Sequence, residues 1–167
     1  MKVDDDHLYH GAALIQIAEH PQFTAINSFK GKLANYENAY RINTDIAVYL
    51  KYASKPTKSF EEYVFTFAKA HLDELEAIAR AVPKTFLALV CVEAREVCCL
   101  SYNQLLSLIA RRRNAFGGAE SQYVILVTAQ KGRSLHVYVN APHTKKTKLG
   151  KKDIVVSRSA FPGDLFQ

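Results

Sequence analysis

The sequence predicts a single α/β (α+β) domain in which a mixed β-sheet, built largely of hairpins, is flanked by about three helices. Short runs rich in β-branched and aromatic residues alternate with longer segments whose apolar residues recur at helical spacing. The chain of 167 residues fits one domain, and we find neither a linker nor an internal repeat in it. Residues 1–167 are therefore interpreted as one unit.

The first predicted element is a helix over residues 6–20. Its apolar residues recur at spacings of four and three: Leu8, Ala12, Ile15 and Ala18. The acidic run from Asp4 to Asp6 supplies a cap and favourable first-turn charges, and Pro21 ends the helix. Glu19 lies near the C-terminal end, where a carboxylate is unfavourable with the helix dipole, so it is either an exposed surface acid or a functional residue.

Residues 39–53 predict two strands joined by a tight turn at Thr44 and Asp45. A two-residue loop gives the cross-strand pairs Ile42 with Ala47, Tyr40 with Tyr49, and Asn38 with Lys51. This register brings Glu37 near Lys51. The lysine is flanked by apolar residues, so its ammonium either reaches solvent at the sheet edge or has a functional partner. The residues before this hairpin, with Phe23, Ile26 and Phe29, are interpreted as a short apolar turn.

The central part of the chain predicts three strands and two helices. The strands span residues 63–67, 86–92 and 96–100, and the helices span residues 69–80 and the segment after Ser101. The 86–92 strand is apolar on both faces, which indicates a position in the middle of a covered sheet. A last hairpin spans residues 122–129 and 134–140, and residues 154–156 and 161–166 return apolar side chains to the core.

The positive charge is concentrated in the C-terminal half. Residues 111–158 hold eleven Lys and Arg against two acids, a balance of +9, whereas the rest of the chain has a balance of −3. This asymmetry is typical of proteins that bind a polyanion, and DNA is the expected partner; ordinary solubilising charge is the alternative. The candidate nucleic-acid-binding residues are Arg111, Arg112 and Arg113 at the end of a helix, and Lys145, Lys146, Lys148, Lys151 and Lys152 in a basic loop over residues 143–152.

The cysteines and the hydropathy pattern indicate the compartment. Cys91, Cys98 and Cys99 lie in apolar segments without zinc-type spacing, so they are expected to be core thiols in a reducing environment. The acidic start differs from a signal peptide, and no apolar run is long enough to span a bilayer. We therefore expect a cytoplasmic protein without a membrane partner, and a homodimer stays open.

The order of these elements resembles the restriction-endonuclease-like, or PD-(D/E)xK, nucleases over residues 6–115. The resemblance implies a metal-dependent nuclease, or a DNA-binding protein derived from one, that uses Mg²⁺. Lys51 would match the lysine that orients the attacking water. Glu19 would match the acid on the first helix, and Glu37 or Asp45 the acid before the lysine-bearing strand.

These matches define the candidate site. The catalytic residues would be Lys51, Glu37 and Asp45, and the metal ligands would be Glu19, Glu37 and Asp45, because Mg²⁺ is bound through carboxylates. The sequence departs from the family at Tyr49, which stands two residues before Lys51 where the family has an acid. The alternative function is a non-catalytic nucleic-acid-binding or protein-interaction domain. No P-loop, GxSxG or GxGxxG motif points to other enzyme classes.

Overall fold

The computed structural model describes residues 1–31, 35–144, 148–149 and 153–167 and confirms the α+β class. Within these residues it has three α-helices, nine strands and a short 3₁₀ helix at residues 163–166. The helices are α1 (Asp5–Ala18), α2 (Lys69–Ala81) and α3 (Tyr102–Phe116). The strands are β1 (Ile26–Lys30), β2 (Asn35–Ile42), β3 (Ile46–Ala53), β4 (Glu62–Ala68), β5 (Lys84–Cys91), β6 (Glu96–Ser101), β7 (Gln122–Thr128), β8 (Leu135–Tyr138) and β9 (Ile154–Val156).

The strands form two sheets rather than the single sheet expected from the sequence. The first sheet has the order β1-β2-β3-β5-β6, with β3 and β5 parallel and the other neighbours antiparallel. The second sheet is antiparallel, with the order β4-β7-β8-β9. The prediction that the strand over residues 86–92 is covered on both faces is confirmed, because β5 lies inside the first sheet and is buried on both sides.

Each face of the first sheet has its own core. The inner face, which packs against the second sheet, contacts apolar residues of α2 and α3: Leu75, Ile78, Leu105 and Leu108. The second sheet contributes Phe65 and Phe67 of β4 to this core. The outer face is covered by α1 and by the C-terminal segment, through Ala13, Ile17, Phe161 and Leu165. The helices α1 and α2 therefore lie on opposite faces of the sheet that carries Lys51.

The predicted register of the β2–β3 hairpin is wrong by one residue. The structure pairs Ile42 with Ile46 and Ala39 with Tyr49, so the loop has three residues and not two. The extra residue is Asn43, which adopts a left-handed conformation with φ of 54°. Its side chain accepts a hydrogen bond from the Thr24 backbone N–H at 2.7 Å, which anchors the turn. Asparagine tolerates this conformation better than most residues, so the longer loop has little strain.

The interpretation of residues 23–29 as a turn is also wrong in part, because Ile26–Lys30 forms strand β1. This edge strand pairs antiparallel with β2, and its backbone hydrogen bonds are satisfied there. Phe29 is the one buried residue of the strand. With so few buried positions, the strand lacks the period-two apolar pattern by which a half-buried strand is recognised.

The three cysteines are buried free thiols in strands β5 and β6, as the sequence predicts. Burial raises the pKa of the Cys91 thiol to about 12, so the thiolate form is strongly disfavoured at neutral pH. None of the helices in the part of the chain that the structure describes combines the length and apolarity needed to cross a lipid bilayer.

Candidate functional site

Lys51 lies on the inner face of the first sheet, near the carboxyl end of β3. Its side chain is half-buried, and its Nζ is 5.0 Å from the centroid of the Phe67 ring, within range of a cation–π interaction. Burial lowers the pKa of Lys51, and the negative charge of Glu74 acts in the opposite direction. The lysine is therefore a partly desolvated cation beside an acid and an aromatic ring, and not a fully solvated edge residue.

Helix α2 brings two further ionisable side chains to Lys51. The Tyr49 hydroxyl donates to Glu74 Oε2 at 3.4 Å, a long hydrogen bond, and burial and the charge of Glu74 together raise the pKa of the Tyr49 phenol. His71 Nδ1 accepts a hydrogen bond from the Ala68 backbone N–H at 3.1 Å, which fixes the imidazole at the start of the helix. Burial and the charge of Lys51 lower the pKa of His71. We call Tyr49, Lys51, His71 and Glu74 the Lys51 cluster.

Sequence reasoning missed His71 and Glu74, although a signal was present. The two residues are three apart on α2 and therefore share one face of the helix. The buried stripe of α2, with Leu75 and Ile78, fixes that helix against the inner face of the first sheet. The sequence did not show that α2 packs on β3, and without that packing His71 and Glu74 could not be assigned to the same site as Lys51.

Glu37 is the one predicted acid that the structure brings towards the Lys51 cluster. The β2–β3 pairing ends at Ala39 and Tyr49, and Asn38 has a positive φ of 63°, so Glu37 lies just past the paired region. Its side chain is exposed, and its charge is close enough to contribute to the raised pKa of Tyr49. The negative charge of Glu37 therefore acts on the Tyr49 phenol of the cluster.

The other two predicted acids do not lie with Lys51. Asp45 precedes β3 and forms an ion pair with Lys84 at 3.6 Å, and six residues of extended strand separate it from Lys51 by about 20 Å. Glu19 follows α1, which packs on the opposite face of the sheet. Nowhere among the described residues do three His, Cys, Asp or Glu side chains lie close enough to hold a metal ion together. The predicted set of three acids is therefore not assembled.

Arg112 has a structural role that the sequence did not reveal. Its guanidinium forms two hydrogen bonds to Glu120, at 2.6 Å and 3.0 Å, and a third to the Asn140 carbonyl oxygen at 2.8 Å. These contacts tie the end of α3 to the segment after β8. The hydrogen bond to Arg112 lowers the pKa of the Glu120 carboxyl. Arg112 is thus largely occupied by protein partners.

The remaining basic residues have different surroundings. Arg113 is exposed at the end of α3, whereas Arg111 is half-buried. Lys148 donates to Asp153 at 2.8 Å, and its Nζ lies 4.4 Å from the centroid of the Tyr138 ring. Lys145, Lys146, Lys151 and Lys152 lie outside the described residues. Because Arg112 bonds to the segment that leads into residues 143–152, the end of α3 and the start of the basic loop lie side by side.

The two neighbouring arginines give a matched test of these roles. Replacing Arg112 by alanine is expected to lower the free energy of unfolding by about 1–3 kcal/mol, because Glu120 and the Asn140 carbonyl lose a charged donor. Replacing the exposed Arg113 by alanine should change stability by less than about 0.5 kcal/mol. Urea unfolding followed by circular dichroism measures both. Equal stability losses in the two variants would contradict the structural role of Arg112.

His10 on α1 couples stability to pH. It is buried next to Tyr52, and its Nε2 has no hydrogen-bond partner among the described residues. Burial lowers the pKa of His10 below its usual 6.5, with the Asp6 charge opposing and the Lys51 charge adding to this shift. The unfolded chain therefore binds a proton at His10 more readily than the folded protein does. The contribution of neutral His10 to the free energy of unfolding is fully present above about pH 6.5 and is lost as the pH falls through the folded-state pKa.

We therefore expect His10→Gln to reduce the acid sensitivity of the protein. The free energy of unfolding of the native protein should fall more between pH 7.5 and pH 5 than that of the variant, since glutamine does not titrate. The pKa of His71 is also lowered, so His71→Gln should likewise reduce the fall in the free energy of unfolding between pH 7.5 and pH 5. Parallel pH profiles for the native protein and His10→Gln would show that His10 is not the group responsible.

Chemically, the Lys51 cluster pairs a partly desolvated cation with the hydrogen-bonded carboxylate of Glu74, and the exposed carboxylate of Glu37 lies outside the cluster. Such an arrangement can bind an anionic group through Lys51 and hold a cation or a water molecule through Glu74. The chain matches no known family model, and no curated protein or solved structure shows significant similarity to it.

Proposed function

We propose that this protein is a metal-dependent nuclease that hydrolyses phosphodiester bonds at the Lys51 cluster and takes DNA as its substrate. The observation that supports this best is the half-buried Lys51 near Glu74, with the charge of the exposed Glu37 acting on the neighbouring Tyr49. A cation beside carboxylates suits a reaction in which a water molecule attacks a negatively charged phosphoryl group. The resemblance of residues 6–115 to the PD-(D/E)xK nucleases, with Lys51 as the matching lysine, belongs to the same proposal.

Each residue of the cluster has a separate part in this reaction. Lys51 binds a phosphoryl oxygen and orients the attacking water, and its lowered pKa lets it give up a proton more readily than a solvated lysine. Tyr49 holds the Glu74 carboxylate in place through its hydroxyl. His71, fixed through its Nδ1, is placed to receive a proton or to hydrogen-bond the substrate through its second ring nitrogen.

The acids near Lys51 fit the needs of Mg²⁺. This ion is typically bound through one or two carboxylates and keeps several waters, so Glu74 would hold it, with Glu37 as the candidate second acid. Asp45 and Glu19, which lie elsewhere, have no part in this revised set. When bound, Mg²⁺ would supply Lewis-acid stabilisation of the charge on the phosphoryl oxygens. Glu74, already held by Tyr49, is the acid whose loss should matter most.

Cleavage of supercoiled plasmid and of single-stranded circular DNA tests the proposal. We expect the native protein to nick both substrates in Mg²⁺ or Mn²⁺ and to lose this activity in EDTA. Glu74→Gln, which keeps the shape of the side chain, should lower the rate by about 10²- to 10³-fold. Glu76→Gln is the matched control, because Glu76 lies on the same helix and pairs with Arg80. Full activity of Glu74→Gln, or cleavage that persists in EDTA, would refute the assignment.

The second candidate is a nucleic-acid-binding protein without catalysis. It is favoured by Tyr49, which occupies the strand position where the related nucleases carry an acid. This candidate predicts binding through the basic residues, with an affinity that falls steeply between 50 and 200 mM salt. An affinity that barely changes over this range would remove nucleic acid as the ligand for both candidates. A cytoplasmic location, consistent with the buried free thiols, is part of either proposal.

A further inference from the structure

The outward-facing side of the second sheet carries an exposed aromatic ring between two cavities. Phe60, just before β4, is 41 % exposed. It lines a cavity of about 540 Å³ and a second cavity of about 320 Å³, and both are also lined by Glu62 and Asn140. Neither cavity contains a residue of the Lys51 cluster. This surface is therefore a separate candidate for ligand binding.

The two cavities differ in chemistry. The larger one has an apolar floor made by Val64, which is 39 % exposed, with Val124 and Leu126. The smaller one is lined by charged and polar groups. A ligand that lies across Phe60 thus meets an apolar surface on one side of the ring and hydrogen-bonding groups on the other.

The polar cavity is built from side chains that hold one another. The Tyr138 hydroxyl donates a hydrogen bond to the buried carboxylate of Glu62, and both residues are almost fully buried. Asp153 accepts from Lys148 at 2.8 Å and lies 3.3 Å from His136 Nδ1. Because Asp153 orients His136 through Nδ1, the other ring nitrogen is left to meet a ligand. These contacts preorganise the cavity.

Cationic side chains lie on the loop that carries the exposed ring and in the polar cavity beside it. Lys55 and Lys58 are exposed on the same loop as Phe60, and Arg133 lines the polar cavity together with Lys148. An exposed aromatic ring bordered by cations is complementary to a strand of nucleic acid whose bases are free to stack and whose phosphates are negative. A duplex offers no such base, because its bases are already stacked on each other.

We propose that single-stranded nucleic acid binds across this face, with one base stacked on Phe60 and the neighbouring phosphates near Lys58, Arg133 and Lys148. The proposal rests on the proposed function for its ligand class, a polynucleotide, and adds the form of the strand and the surface that holds it. The apolar cavity receives the neighbouring base or sugar, and the polar cavity contacts the edge of the stacked base. This face selects unpaired segments, while the Lys51 cluster performs hydrolysis.

Fluorescence anisotropy tests the proposal with a labelled 15-nucleotide oligo-dT and a 15-bp duplex in EDTA, where no hydrolysis occurs. We expect the native protein to prefer the single strand. Phe60→Ala should weaken oligo-dT binding by roughly 5- to 150-fold, the loss of one base stack, and Phe60→Tyr should retain it. Leu106→Ala is the control, because Leu106 is equally exposed, at 42 %, and lies on α3.

The outcomes separate this inference from the proposed function. Tighter binding of the duplex than of oligo-dT, or equal oligo-dT affinity for the native protein and Phe60→Ala, would overturn the inference and leave plasmid cleavage at the Lys51 cluster intact. Binding of neither nucleic acid would overturn both. Because Phe60 is exposed, its replacement should not unfold the protein, and a thermal unfolding curve for each variant checks this.

Discussion

Replacing Phe67 by alanine is expected to lower the free energy of unfolding by about 3–5 kcal/mol. The Phe67 side chain is fully buried between the two sheets, in the core that also contains Leu75 of α2 and Tyr123 of β7. Its removal leaves a cavity at the point where three elements meet, and it also removes the ring that contacts Lys51. Urea unfolding followed by tyrosine fluorescence and by circular dichroism measures the loss.

The neighbouring Thr66 provides the control for this variant. The Thr66 side chain lies on the opposite face of β4 from Phe67 and is half-buried. Thr66→Ala should therefore lower the free energy of unfolding by well under half as much as Phe67→Ala. A loss below about 1 kcal/mol in Phe67→Ala would contradict the packing of β4 against the first sheet. It would also weaken the case for burial of Lys51, which is the physical reason for its lowered pKa.

The helices were predictable because each carries its signals within a short window. The caps are local: Asp4 accepts from the His7 backbone N–H, and Ser101 accepts from that of Gln104. The left-handed Gly117 ends α3. Such signals depend on residues three or four apart, which the sequence displays directly.

The sheet arrangement was not predictable because it depends on distant partners. Strand β4 pairs with β7, for example Phe65 with Ile125, and nothing in either segment specifies the other. The hairpin register depends on whether Asn43 belongs to the loop, where its φ is positive, or to strand β2. Had Asn43 been part of the strand, every residue of β2 would have moved by one position relative to β3. Edge strand β1 lacked a buried face to reveal it.

The candidate site was predictable only where it follows strand alternation. Lys51 was identified because apolar residues flank it in a predicted strand, and the alternation of that strand places it on the same face as Tyr49. Asp45 was grouped with it because the resemblance to the PD-(D/E)xK nucleases implies an acid before the lysine-bearing strand, but the extended strand carries the two residues apart. Glu74 joined Lys51 through the packing of α2 on β3, which depends on the whole inner core.

Replacing Lys51 by alanine is expected to reduce DNA cleavage by about 10²- to 10⁴-fold, the range for loss of a positioned proton-transfer group. Stability should change little, because the variant loses a cation–π contact but also removes a partly desolvated charge. Lys84→Ala is the matched control. Lys84 lies on the adjacent strand β5, pairs with Asp45, and is at the end of the sheet away from Lys51.

The most direct test of the account is the rate of supercoiled-plasmid cleavage in Mg²⁺ by the native protein, Lys51→Ala and Lys84→Ala, each shown to be folded. We predict cleavage by the native protein and by Lys84→Ala, and its loss in Lys51→Ala. Absence of cleavage by the native protein, or equal rates for all three proteins, would contradict a hydrolytic site at Lys51.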